Sequence, residues 1–206
     1  MPQQIVLIIV GLIAGVFSGL FGIGGGLVID RRIHGTDRPA AAEIGHLRPG
    51  LGAMSAYQTV EAEAAGPGIE ARLRRRIQET VDAGVVDPDA IALLTEVAGH
   101  FNLITTKQIA AQAMRGNRLA RQVYREATDV LGWAIAQAIT LVSPEIVVVG
   151  GGVSLAGEEV FFRPLREAVE RYVFPPLKES YRLEPAQLGE SVVVHGALAL
   201  AAAPEP

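Results

Sequence analysis

The sequence contains no cysteine among its 206 residues, which excludes disulfides and leaves the redox compartment unmarked. It has no surplus of positive charge: 18 Lys and Arg face 22 Asp and Glu, a formal net charge of -4, which argues against nucleic acid as a partner. The local exception, Arg72 with Arg74, Arg75 and Arg76, falls in a helical pattern without interleaved aromatics and reads as a solvated helix face. Neither lysine nor arginine precedes the apolar run that begins at Ile5, which argues against a cleaved signal peptide. No charged residue occurs from Ile5 to Ile29. Against these absences stands a hydrophobic content of 50%, enough for one or two small globular domains with a real core.

The charge-free run is the first conspicuous presence. From Ile5 to Leu20 only Ser18 interrupts Leu, Ile, Val, Ala, Phe and Gly, and the stretch is about long enough, near twenty residues, for a bilayer-spanning helix. Gly11, Gly15 and Gly19 recur every four positions, a smooth stripe of the kind found where membrane helices pack closely. Arg31 and Arg32 follow as a cytoplasmic anchor. Two readings stay open: a membrane-inserting or buried hydrophobic helix, and a core strand with a frayed start.

Downstream, the pattern alternates helices and strands. Gly35 to Ala42 reads as a loop. Gly66-Pro67-Gly68 opens a helix over Ile69–Ala83, and Asp87-Pro88 caps another through Ala98. Thr105 or Thr106 caps a short helix to Met114, which Gly116-Asn117 breaks. Leu119, Val123, Val130, Ile135 and Ile139 mark the longest amphipathic helix, Arg118 to Leu141, in which Trp133 reads as packing. Ser143-Pro144 ends it. Glu145–Val149 is a buried strand feeding Gly150-Gly151-Gly152, a geometry in which backbone amides approach a phosphate or nucleotide. A helix over Glu158–Tyr172, a polar proline-containing loop, a strand over Ser191–Val194 and a closing helix complete the chain.

The chemistry concentrates in Ala42-Glu43-Ile44-Gly45-His46, a carboxylate and an imidazole three residues apart, with a second carboxylate at Glu61. Alone the pair is a weak signal, because a histidine beside apolar residues is usually a satisfied core histidine. Its context is stronger: Gly22-Ile23-Gly24-Gly25-Gly26 and Leu27-Val28-Ile29-Asp30 before it, then Gln58-Thr59-Val60-Glu61, Pro144 to Gly152 and His195-Gly-Ala-Leu in order after it.

With these motifs the chain, from about Gly22 to Ala203, resembles the ROK family of sugar kinases and related repressors. The resemblance implies an α/β fold, the carboxy-terminal half of an actin-like ATPase (ribonuclease H-like) kinase, with Leu27–Asp30 and Arg31–His34 as a hairpin-like pair. It also implies that Glu43, His46 and Glu61 bind a hexose or amino sugar such as glucose or N-acetylglucosamine. Carboxylates suit vicinal hydroxyls, each accepting charge-assisted hydrogen bonds. ATP and Mg2+ are the implied cofactors, with Gly24, Gly25 and Gly26 and Gly150, Gly151 and Gly152 at the nucleotide. Family kinases place three cysteines after the Glu-x-Gly-His motif to bind zinc with the histidine. Here Leu51 to Glu61 offers no soft ligand, so no zinc is expected. The segment Gly11 to Gly26 resembles instead the first helix of the TauE/SafE sulfite exporter family.

The implied organisation is a hydrophobic segment over 1–26 running into the glycine turn, a sugar-kinase lobe over 27–203 and a tail over 204–206. The family's catalytic aspartate belongs to an amino-terminal lobe and has no match here; Asp30 only follows the glycine turn. A truncated sugar kinase, inactive alone, is the first expectation. The alternatives are a non-catalytic sugar-binding regulatory module, membrane-tethered through residues 5–22, and a transporter piece. The implied partners are a sugar, a second copy of the chain or the amino-terminal lobe, in the cytoplasm or at the membrane.

Overall fold

A computed structural model describes residues 43–187 throughout and, ahead of them, the backbone of three strands. The first, β1 (Ile5–Ile9), consists only of isoleucine, valine and leucine, residues that fill a pleated, buried surface well. It runs antiparallel to β2 (Gly26–Ile29) on one side and parallel to β4 (Ile146–Val149) on the other. β3 (Arg32–Ile33) and β5 (Arg182–Pro185) lie outermost, in the order β3-β2-β1-β4-β5.

The helical reading of the amino-terminal run is thus corrected at Ile5–Ile9. An unbroken apolar run fits a buried strand as well as a helix. The choice falls to partners far along the chain, since Leu7 pairs with Val147 and Ile9 with Val149. Residues 10–25, which hold Gly11, Gly15, Gly19 and the start of the glycine turn, lie outside the described residues. Among the described residues no helix is long and apolar enough to cross a membrane. The hairpin is as expected, with Val28 opposite Ile33 and Ile29 opposite Arg32. The expected strand over 191–194 and the helix after it lie outside the described residues. In the expected polar loop before them the structure places β5, whose Leu183 alone of its four residues is buried.

The described residues also form six α-helices: α1 (Val60–Ala64), α2 (Gly66–Asp82), α3 (Pro88–Glu96), α4 (Thr106–Met114), α5 (Arg118–Val142) and α6 (Arg163–Tyr172). Their boundaries follow local chemistry. The Asp87 carboxylate accepts from Asp89 N at 2.9 Å to start α3, and Thr105 and Gln108 form a capping box on α4. Asn117 Oδ1 accepts from Ala120 N at 2.9 Å to start α5. Ser143 ends it in the left-handed region at φ 46°, and Pro144 cannot continue a helix.

Helix α5 is the spine of the core. Its face from Leu119 through Val123, Leu131 and Ile135 to Ile139 is buried, and Trp133 packs at the edge of the same core. It meets α6 where Gly132 carries no side chain; a Cβ there would lie 2.5 Å from the Cβ of Ala168. Before α6 the chain makes a π-helical turn, Glu158–Phe162, that seats Val160, Phe161 and Phe162 in the core.

The arginine cluster is a second correction. Only Arg75 is largely solvated, at 69% exposure, whereas Arg72 is 8% exposed. Arg74 donates to the carbonyl of Ile104 at 2.8 Å and Arg76 to Glu126 at 2.5 Å. The carboxylates that hold Arg72 and Arg76, Glu63 and Glu126, belong to neighbouring helices and are invisible in a local window.

Candidate functional site

Glu43 precedes a single 3-10 turn, Ile44–His46, closed by a hydrogen bond from His46 N to Glu43 O at 3.1 Å. Ile44 and Gly45 are buried and anchor the turn, Glu43 is half-buried, and His46 is exposed. Exposure removes the bland account of His46 as a satisfied core histidine. Glu61 enters from the next element. Thr59 starts α1 by accepting from Ala62 N at 3.2 Å, and Glu61 stands one residue into that helix, half-buried.

One bond joins the two pieces: Val60 N donates to Leu47 O at 2.8 Å. His46 and Glu61 each sit one residue from that bond, so two stretches of backbone fifteen positions apart are joined. The intervening segment loops out with local turns, Ala53 N to Gly50 O at 3.3 Å and Gln58 N to Ser55 O at 3.2 Å. Its Leu51, Met54 and Tyr57 side chains are almost fully exposed. Among the described residues no three His, Asp or Glu groups stand together as a metal site.

Gly26 and Gly150 lie at one end of the sheet. Gly26 opens β2 opposite Ile8, and Gly150 follows Val149, which is paired with Ile9. Both therefore lie at the carboxyl ends of the parallel strands β1 and β4, about two strand spacings or ~10 Å apart. Ligands of open α/β sheets bind at such ends. Gly150 is crowded, since a Cβ there would lie 2.8 Å from that of Ala186. Gly151 needs glycine for its φ of 100°, and its carbonyl accepts from the Ser154 hydroxyl at 2.7 Å. Among the described residues no atom lies within 4 Å of a Cβ placed at Gly151 or Gly152. Gly24 and Gly25 lie outside the described residues.

A crevice of about 420 Å³ between α2 and α5, lined by Glu79, Thr80, Asp87 and Arg118 among others, includes none of these groups. Two contributors escaped the sequence reading. Thr59 carried a signal, a capping hydroxyl just before an apolar and acidic turn. Arg72, which holds Glu63 of α1 through both its carboxylate and its carbonyl, carried none.

Comparison with known proteins gives the family and the fold. Residues 15–203 match the model of the ROK family, a match that begins inside the stretch resembling the exporter helix. A glucokinase of Thermotoga maritima is 31% identical over 184 residues, 87% of this chain and 55% of that protein. A xylose repressor of Caldicellulosiruptor bescii is 22% identical over 183 residues, 87% of this chain and 43% of that protein. Among solved structures, a ROK family glucokinase from Streptomyces griseus in complex with glucose and AMPPNP superposes with a TM-score of 0.74 at 27% identity, over 96% of this chain and 60% of that one. The chain spans about half the length of the curated relatives it matches. Its fold is of the actin-like ATPase type, and on the family match over most of its length the chain belongs to the ROK family.

Proposed function

We propose that these residues form the sugar-binding part of a ROK-type sugar kinase. Glu43, His46 and Glu61 receive the hydroxyls of a hexose or amino sugar such as glucose or N-acetylglucosamine. The observation that supports the reading is the Val60 N to Leu47 O bond, which joins the backbone one residue after His46 to the backbone one residue before Glu61, His46 being exposed and Glu61 half-buried. Two carboxylates offer charge-assisted acceptors and the imidazole offers a donor or acceptor, the complement of a vicinal diol. The Streptomyces griseus relative, solved with glucose and AMPPNP, supports the sugar and the nucleotide class.

The glycines at the ends of β1 and β4 are proposed to face ATP. Open backbone at Gly151 and Gly152 suits the approach of a nucleotide, whose phosphates would bring the divalent metal with them. Phosphoryl transfer also requires a base for the sugar hydroxyl proton. The family's aspartate has no match in this stretch, so its activity alone is proposed to be binding without turnover. Supplying a polypeptide that carries the amino-terminal lobe is expected to restore transfer.

The xylose repressor among the relatives favours one second reading, a sugar-sensing module without catalysis. Calorimetric titration with glucose and N-acetylglucosamine, each with and without magnesium ATP, separates the two. Binding of sugar and nucleotide supports the kinase reading; sugar alone supports the sensor. No affinity for either sugar overturns both.

A further inference from the structure

We propose that Arg72 is a positioning residue for Glu61, acting through Glu63 and the backbone of α1; this rests on the reading of Glu61 as a sugar ligand. Helix α1 has five residues, too few to hold its shape by its own hydrogen bonds. It is held by the start of α2. Gly68 lies against it backbone to backbone, since a Cβ there would fall 2.2 Å from Ala62 O and 3.0 Å from Glu63 O. One turn further on, Arg72 Nη2 donates to the main-chain oxygen of Glu63 at 3.1 Å and also to its carboxylate. Arg72 Nε faces Glu126 of α5 at 3.5 Å, and Arg76 pairs with the same carboxylate.

Stability does not account for this arrangement. A buried guanidinium seldom does better than an apolar side chain of its volume. Nη1 of Arg72 is moreover buried without a hydrogen-bond partner among the described residues. What the planar fork supplies is geometry. Gripping a carbonyl and a carboxylate of one residue fixes the height and rotation of α1, and with them the position of Glu61 two residues earlier. Glu126 ties the clamp to the longest helix of the core.

The test is calorimetric titration of glucose into the whole chain and its Glu61→Ala, Glu63→Ala, Arg72→Met and Arg72→Lys variants, with the folded fraction of each measured by circular dichroism. A residue that only stabilises the fold lowers the stoichiometry, because unfolded molecules drop out, and leaves the Kd of the folded ones unchanged. The clamp predicts a Kd weaker by about tenfold in Arg72→Met and Glu63→Ala at full stoichiometry, with Arg72→Lys in between. Should Arg72→Met fail to fold, Glu63→Ala decides, since that side chain is 45% exposed and its loss leaves the core intact. Wild-type Kd in folded Glu63→Ala, with sugar lost in Glu61→Ala, overturns the clamp alone. Wild-type affinity in Glu61→Ala overturns the sugar site beneath it.

Discussion

Single residues carry two separable kinds of consequence here. Glu61→Ala and His46→Ala each remove a polar group from the proposed sugar site without opening the core, because His46 is exposed and Glu61 half-buried. Each is expected to abolish measurable sugar binding while the free energy of unfolding stays within about 0.5 kcal/mol of wild type; unchanged affinity in both would remove the site assignment. Tyr124 belongs to the other kind. It is fully buried on α5, its hydroxyl has no hydrogen-bond partner among the described residues, and burial raises its pKa above the ordinary value. The folded state therefore holds this proton more tightly than the unfolded chain. Its contribution is constant below about pH 10 and declines as pH rises beyond it. Tyr124→Phe is expected to leave stability at pH 7 unchanged or up to about 1 kcal/mol higher. It should also flatten the alkaline decline, as urea unfolding at pH 7 and about pH 11 would show.

At the scale of elements, two backbone positions on α5 test how the core is built. Gly132 is where α6 reaches the helix backbone, with Val169 N 3.0 Å from a Cβ placed there. Because both neighbours belong to a packed helix, Gly132→Ala should destabilise by about 1–3 kcal/mol in denaturant unfolding, through separation of α5 and α6. Ser143 has the opposite sign. It stops α5 in the left-handed region, where glycine rests without strain, so Ser143→Gly is expected to add from a few tenths to about 1 kcal/mol. A loss on that substitution would show that the serine side chain supports the cap in another way.

For the whole molecule, the sheet sets where ligands can meet. β1 and β4 run parallel and side by side, so Gly26 and Gly150, far apart along the chain, lie at one end of the sheet. A ligand that binds only the folded chain raises its thermal midpoint by mass action. Glucose at a hundred times its Kd should raise the midpoint by roughly 5–10 °C, as followed by circular dichroism, and magnesium ATP should add to this if the glycines receive nucleotide. A midpoint indifferent to sugar at every concentration would contradict the proposed function.

Much of this was legible locally, where covalent neighbours decide the outcome. Pro88 and Asp87, Thr105 or Thr106, and Asn117 and Ser143 at the two ends of α5 placed helix boundaries within a few residues, because caps and stops act over one turn. The Glu43, His46 and Glu61 set was legible as motif and spacing, though not as a site. The amino-terminal run was not, since its apolar residues satisfy a helix and a buried strand equally until β2 and β4 offer hydrogen bonds on both sides. Nor was Arg72, whose place inside the molecule depends on Glu63 and Glu126 arriving from two other helices. The sequence by itself determined the helices, their caps and the residue types available for sugar. Only the tertiary structure decided which face of α2 turned inward, which strand lay in the middle of the sheet and which polar groups became neighbours, because each of those depends on partners that the chain brings together only by folding.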